Sequence, residues 1–221
     1  MAAPVGGGPV WYGELAVDGG TLPVAVTGEG PPLILLHGWT LDHRMWGPQI
    51  AGLASEYMLV MPDRRGCGRA TAPPDLAREA DDVIAIAELL GFDRFALLGL
   101  SRGAVVALDV ARRHPERLAA LLVSGAPLPV LVEREEVIDL DRLHALAAAG
   151  DMATFRAEWA AHPLMATHTD AARALIAAIL ADYDGRDLLV PGTPLEAPRV
   201  VLAALAMPVL AMTGEHDTPW R

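Results

Sequence analysis

The stretch Leu97-Leu98-Gly99-Leu100-Ser101-Arg102-Gly103-Ala104-Val105 constrains this chain more than any other, because it joins a buried strand to a buried helix through one serine. The apolar run from Phe95 to Leu98 has the length and character of a strand covered on both faces. After the turn, Ala104, Val105, Ala107, Leu108, Val110 and Ala111 continue at helical spacing. A Gly-x-Ser-x-Gly turn in that setting places the serine at a sharp, strained corner and leaves its Oγ exposed above a sheet. The backbone N–H of the next residue can then meet a developing oxyanion.

The remaining strands follow the same logic. Trp11 to Val17 and Thr21 to Thr27 read as a hairpin hinged at Asp18-Gly19-Gly20, at the edge of a sheet. Leu33-Ile34-Leu35-Leu36 is a second continuous apolar run, followed by His37-Gly38-Trp39. A helix over Trp46 to Ala54 and a strand over Tyr57 to Met61 lead into Pro62-Asp63-Arg64-Arg65-Gly66-Cys67-Gly68-Arg69. Leu76, Ala80, Val83, Ile84, Ala87 and Leu90 form one apolar stripe, so Asp75 to Leu90 is an amphipathic helix closed by Gly91. Leu118 to Ser124 is another apolar strand. The order β, α, β, α, β predicts a mostly parallel sheet wrapped by helices.

Beyond Pro127 the texture changes to alanine-rich helical segments over Glu133 to Ala149, Asp151 to Ala161 and Thr169 to Ala181, with Gly150-Asp151 as a stop and an N-cap. A helical block between sheet strands is expected to cap the carboxyl ends of those strands. The predicted division is a core of residues 1–126 and 199–221 with a cap of 127–198. A short helix over Val200 to Ala206 and a buried strand over Pro208 to Thr213 return the chain to the sheet, ahead of Gly214-Glu215-His216-Asp217. Met1 to Pro9 is a Gly/Pro-rich arm with no basic cluster or apolar core of a secretory signal, so a cytoplasmic location is expected.

Composition limits the partners. A hydrophobic content of 52% excludes a disordered chain, and no apolar run is long enough to cross a bilayer. A formal net charge of −11 would repel phosphate backbones and anionic lipid, so nucleic-acid and membrane partners are excluded and a small molecule is expected. The single cysteine, Cys67, rules out an internal disulfide or a Cys-based metal site.

These residues resemble the α/β-hydrolase superfamily from about Trp11 to Asp217. His37-Gly38-Trp39 is similar to its oxyanion loop, Asp63-Arg64-Arg65-Gly66-Cys67-Gly68 to the Asp-x-x-Gly-x-Gly loop, and Gly99 to Gly103 to its nucleophile elbow. Asp217 matches the triad acid. The resemblance implies a serine hydrolase of the esterase or lactonase class: Ser101 is the nucleophile, the N–H groups of Trp39 and Arg102 hold the oxyanion, and no metal or organic cofactor is needed. Serine at the nucleophile position disfavours the haloalkane dehalogenase and epoxide hydrolase branches.

The resemblance also exposes departures. Ala104 and Ala70 stand where many relatives carry glycine and serine. The family's histidine follows the acid after one more strand, so the fold is expected to lack its last strand and helix, a C-terminal truncation relative to the family. His37, with Gly38, belongs to the oxyanion loop in a hydrogen-bonding role. His43, His114, His144, His162, His168 and His216 fit the place of the base poorly. Two other readings stand beside the serine hydrolase. One is a ligand-binding relative without a base. The other is a carbon–carbon hydrolase or lyase, suggested by Phe155-x-x-x-Trp159 and weakened by Val105, where the menaquinone-pathway synthases carry arginine. A substrate carboxylate and an acidic neighbour are equally good partners for the Arg102 side chain, while Asp63 is expected to hold turn N–H groups and Cys67 to be inert.

Overall fold

The computed structural model describes residues 10–127, 138–190, 203–215 and 217. The expected Met1–Pro9 arm, the start of the Glu133 helix, the first three residues of the Val200 helix and His216 lie outside the described residues, and the expected helix does not continue to Ala206, since Leu205 and Ala206 are not helical. The strands are β1 (Trp11–Val17), β2 (Gly20–Thr27), β3 (Pro32–Leu36), β4 (Met58–Pro62), β5 (Phe95–Leu100), β6 (Leu118–Ser124) and β7 (Val209–Met212). They form one sheet in the order β1-β2-β4-β3-β5-β6-β7. The hairpin β1–β2 and the pair β2–β4 are antiparallel; every later pair is parallel. The edge hairpin turns at Gly19, whose φ of 86° suits glycine.

Strand order reverses at the centre. The chain steps from β3 to β4 on one side, then crosses to β5, β6 and β7 on the other. In open α/β sheets the crevice for a ligand opens at such a reversal, outside the carboxyl ends of the strands. Here those ends carry His37 after β3 and Ser101 after β5.

The period of two along β3 explains why its run is unbroken by polar residues. Ile34 and Leu36 face a core built with α2 (Glu79–Leu89) and α3 (Arg102–Arg113), whose members include Val83, Ile86, Val106 and Val110. Leu33 and Leu35 face the opposite core, under Trp46 and α1 (Gly47–Leu53), with Leu59 and Met61. Both faces are therefore covered, as parallel strands require.

Among the described residues, three α-helices lie between β6 and β7 in the chain: α4 (Leu140–Ala148), α5 (Met152–Ala160) and α6 (Asp170–Asp182). The expected stop and cap are present, with Gly150 at φ 73° and the Asp151 carboxylate accepting from Thr154 N. Leu143, Leu146, Phe155, Trp159, Leu180 and Tyr183 pack together into a separate apolar cluster, and Trp39 of the β3 loop packs against it. Among the described residues no helix is long and apolar enough to cross a membrane.

One expectation fails. The strand over Pro208 to Thr213 forms as β7 but is exposed, with Val209 46% and Leu210 51% accessible. It is hydrogen-bonded on one side to β6, at the end of the sheet. An apolar run reports strand propensity, whereas burial needs another element lying over the strand.

The two glycines of the turn are fixed by close packing. A Cβ on Gly99 would lie 2.3 Å from the Gly103 carbonyl oxygen, and one on Gly103 would lie 2.4 Å from the Leu36 carbonyl oxygen. Both obstacles are backbone and cannot swing aside. Gly99→Ala is therefore expected to destabilise the fold by about 1–3 kcal/mol through overpacking, read as a lower urea midpoint at unchanged slope.

Candidate active site

Ser101 adopts φ 51° and ψ −113°, a sparsely populated conformation for a residue with a side chain. Holding it there costs roughly 1–3 kcal/mol, which the surroundings must offset. Its own backbone shows how: the N–H donates to the Ser124 carbonyl at the end of β6 (2.8 Å), and the carbonyl accepts from Ala104 N (2.9 Å) and Val105 N (3.3 Å). The corner is thus pinned both to the neighbouring strand and to the first turn of α3. Arg102 is the first residue of that helix, where N–H groups have no partner within the helix.

The β3 loop lies against this corner. A Cβ on Gly38 would be 3.6 Å from Leu100 Cδ2, and Gly103 approaches the His37 carbonyl as well as that of Leu36. His37 is buried and fully used: one ring nitrogen, Nδ1, donates to the Gly38 carbonyl (2.8 Å), while Nε2 accepts from Arg64 N (3.0 Å). Burial, reinforced by the Arg64 guanidinium, lowers its pKa to about 4. Neutral His37 is a brace for the loop, the hydrogen-bonding role expected of it. Thr40, at φ 62°, accepts from Trp159 Nε1 of α5 (2.8 Å), so a helix from the segment between β6 and β7 holds the loop's residue of positive φ.

Sequence reasoning did not find Asp187, which joins the two expected oxyanion residues. Its Oδ2 accepts from Trp39 Nε1 (2.7 Å) and from Arg102 Nη1 (3.0 Å), and its Oδ1 accepts from the Tyr183 hydroxyl (2.6 Å). The Asp187 side chain is only 5% exposed. Burial, with Asp187 beside it, pushes the Tyr183 hydroxyl well above the usual phenol range, so it stays a donor. The open choice for Arg102 resolves in favour of an acidic neighbour. The available signal was slight, a tyrosine and an aspartate four residues apart on either side of Gly185. Phe155 and Trp159 are buried and pack on Trp39, with the Trp39–Trp159 rings 4.8 Å apart.

The loop after β4 is structural, as expected. Asp63 accepts from His43 N (3.0 Å) and Arg69 N (2.9 Å), and also from His43 Nδ1 (2.6 Å). Burial opposes its charge, yet the His43 contacts prevail and hold its carboxyl below the usual range. Arg186 donates to the carbonyls of Gly66, Gly68 and Ala70, tying the same loop to the segment after α6. The Cys67 thiol is buried and pushed up to about 12, which leaves it unreactive at neutral pH.

Asp217 sits apart, on the turn after β7. Its Oδ2 accepts from Thr213 Oγ1 (3.3 Å) and Gly214 N (3.4 Å), and its N–H donates to the Gly214 carbonyl (3.0 Å). Strands β5 and β7 flank β6, so Ser101 and Asp217 follow the carboxyl ends of strands about 10 Å apart. As for metals, Asp42, His43 and Asp63 bring ligand-type atoms within 4.8 Å of one another among the described residues. The Arg44 guanidinium, 2.6 Å from Asp42, already neutralises that corner and opposes a cation.

A family model described as the alpha/beta hydrolase fold matches residues 31–178, about two-thirds of the chain. The chain belongs to that family. Among α/β-hydrolases it is 37% identical over 125 residues to a fluoroacetate dehalogenase from a Burkholderia species, covering 53% of this chain and 41% of that one. It is 34% identical over 113 residues to a pimeloyl-[acyl-carrier protein] methyl ester esterase from Aeromonas hydrophila, covering 49% and 42%. The matched segments thus span about two-fifths of the curated relatives' length. An esterase from Exiguobacterium antarcticum shares the fold with a TM-score of 0.72 at 24% identity, over 95% of this chain and 82% of that one. The α/β-hydrolase relatives include esterase and dehalogenase alike, so the choice of chemistry rests on the residues at the elbow.

Proposed function

We propose that this α/β-hydrolase is a serine hydrolase that cleaves a small carboxylic ester or lactone through an acyl-enzyme on Ser101. The observation that carries the reading is the strained Ser101 at the strand-order reversal, with the Trp39 loop packed against its corner. In the first step Oγ of Ser101 bonds to the carbonyl carbon and its proton passes to a base. The carbonyl π electrons move onto oxygen, which the backbone N–H groups of Trp39 and Arg102 stabilise. Collapse expels the alcohol, which takes up the proton. Water then attacks the acyl-enzyme by the same route, releasing the acid and restoring Ser101. Asp217 is assigned the role of the triad acid. The segment between β6 and β7 is assigned to a cap, since Trp159 hydrogen-bonds to Thr40 and Asp187 to Trp39 of the loop after β3.

Serine, in place of a carboxylate, separates this reading from a dehalogenase: a serine ether formed by alkyl displacement could not be opened by water attacking a carbonyl, whereas an ester can. The test is covalent labelling. A fluorophosphonate is expected to add one phosphonyl group to Ser101, located by peptide mass mapping, and to leave Ser101→Ala unlabelled. Labelling elsewhere, or none, would sink the proposal.

A further inference from the structure

The three arginines around the elbow differ in what neutralises them. A cavity of about 150 Å³ is lined by Arg64, Arg65, Glu79, Arg102 and Asp187, and Arg102 follows Ser101 in the chain. Arg64 is paired with Glu79 and Arg65 with Asp82, each through two hydrogen bonds within the core. Arg102 is 35% exposed and meets its carboxylate through one contact, Nη1 to Asp187 Oδ2. Of the three cations it is the one that a substrate could reach.

We propose that Asp187 is a specificity-determining residue that occupies Arg102 and restricts the enzyme to acyl groups carrying no carboxylate; this rests on the serine-hydrolase reading. The argument is one of charge and of anchoring. An acyl chain ending in a carboxylate would have to displace Asp187 from Arg102 or share the guanidinium with it. Displacement is opposed because the Tyr183 hydroxyl and Trp39 indole hold the same carboxylate in place. Sharing would bring two carboxylates together in a part-buried site, where like charges repel more strongly than in water. A neutral acyl chain meets neither obstacle. Without the Asp187 charge, Arg102 loses its acidic partner and becomes a guanidinium suited to a carboxylate.

The test compares two esters with the same leaving group and chain length, 4-nitrophenyl butyrate and mono-4-nitrophenyl succinate, by kcat/KM. The wild-type enzyme is expected to favour butyrate. Asp187→Asn keeps the shape and an acceptor oxygen, and should raise the succinate-to-butyrate ratio at least 10-fold, mainly through a lower KM for succinate. Asp187→Glu, which restores the charge, should return the ratio towards that of wild type, and adding Arg102→Gln to Asp187→Asn should abolish the gain. A merely structural role would lower both esters together. Should Asp187→Asn misfold, Asp187→Ser is read by the same ratio. A ratio unmoved in a protein that the fluorophosphonate still labels at Ser101 overturns this proposal alone. A wild-type protein that is neither labelled nor active overturns the serine-hydrolase reading, and this proposal with it.

Discussion

Glu79→Ala is expected to destabilise the fold by about 3–5 kcal/mol, because it strands a buried guanidinium. Arg64 is 3% exposed and Glu79 7%, and the two meet through Nε–Oε2 at 2.5 Å and Nη2–Oε1 at 3.1 Å. Arg64 also donates Nη1 to the His37 carbonyl at 2.9 Å, and its backbone N–H reaches His37 Nε2. Burial pushes the Glu79 carboxyl up despite Arg64, so desolvation here offsets much of the attraction. The pair is therefore costly to break and of modest net worth when whole. Two variants separate those quantities in urea unfolding. Glu79→Ala alone should lose the full amount, whereas Arg64→Met with Glu79→Leu should recover most of it. Equal losses in both would mean that the ion pair itself, and not the stranded charge, carries the stability.

The sheet was legible in the sequence because each central strand is covered on both faces. Leu33 to Leu36 and Phe95 to Leu98 face apolar cores on both sides, so a continuous apolar run identifies them without any partner being known. The elbow was legible for a different reason: a residue at φ 51° needs small neighbours, and Gly99 and Gly103 supply them at fixed spacing. The exposure of β7 was not legible, since its composition matches that of a covered strand. Nor was Asp187. Its three donors come from positions 39, 102 and 183, and the first two are brought to it only by tertiary packing. The same holds for the His43–Asp63 contact, which joins residues twenty positions apart. Local pattern finds residues whose role is fixed by their own backbone. It misses those whose role is fixed by distant partners.

Acidification from pH 6.5 to 4 is expected to remove roughly 3 kcal/mol of stability through His37 alone. Burial, aided by Arg64, lowers its pKa from the ordinary 6.5 to about 4. Between those values the unfolded chain takes up a proton that the folded chain refuses. Stability therefore rises with pH across the window, is complete above 6.5, and stops changing on this account below 4. Asp63 acts in a different range: its carboxyl is held below the usual value, so its contribution is lost only at more acid pH. Glu79, raised by burial, gives a slope of opposite sign above the ordinary carboxylate pKa. The informative quantity is thus the difference between wild type and His37→Gln, whose amide can still accept from Arg64 N. Urea unfolding at pH 7.5, 6.5, 5.5 and 4.5 should show the wild-type advantage shrinking steadily below pH 6.5. A parallel pair of profiles would mean that His37 takes up its proton as readily in the fold as out of it, and the neutral brace for the loop after β3 would have to be abandoned.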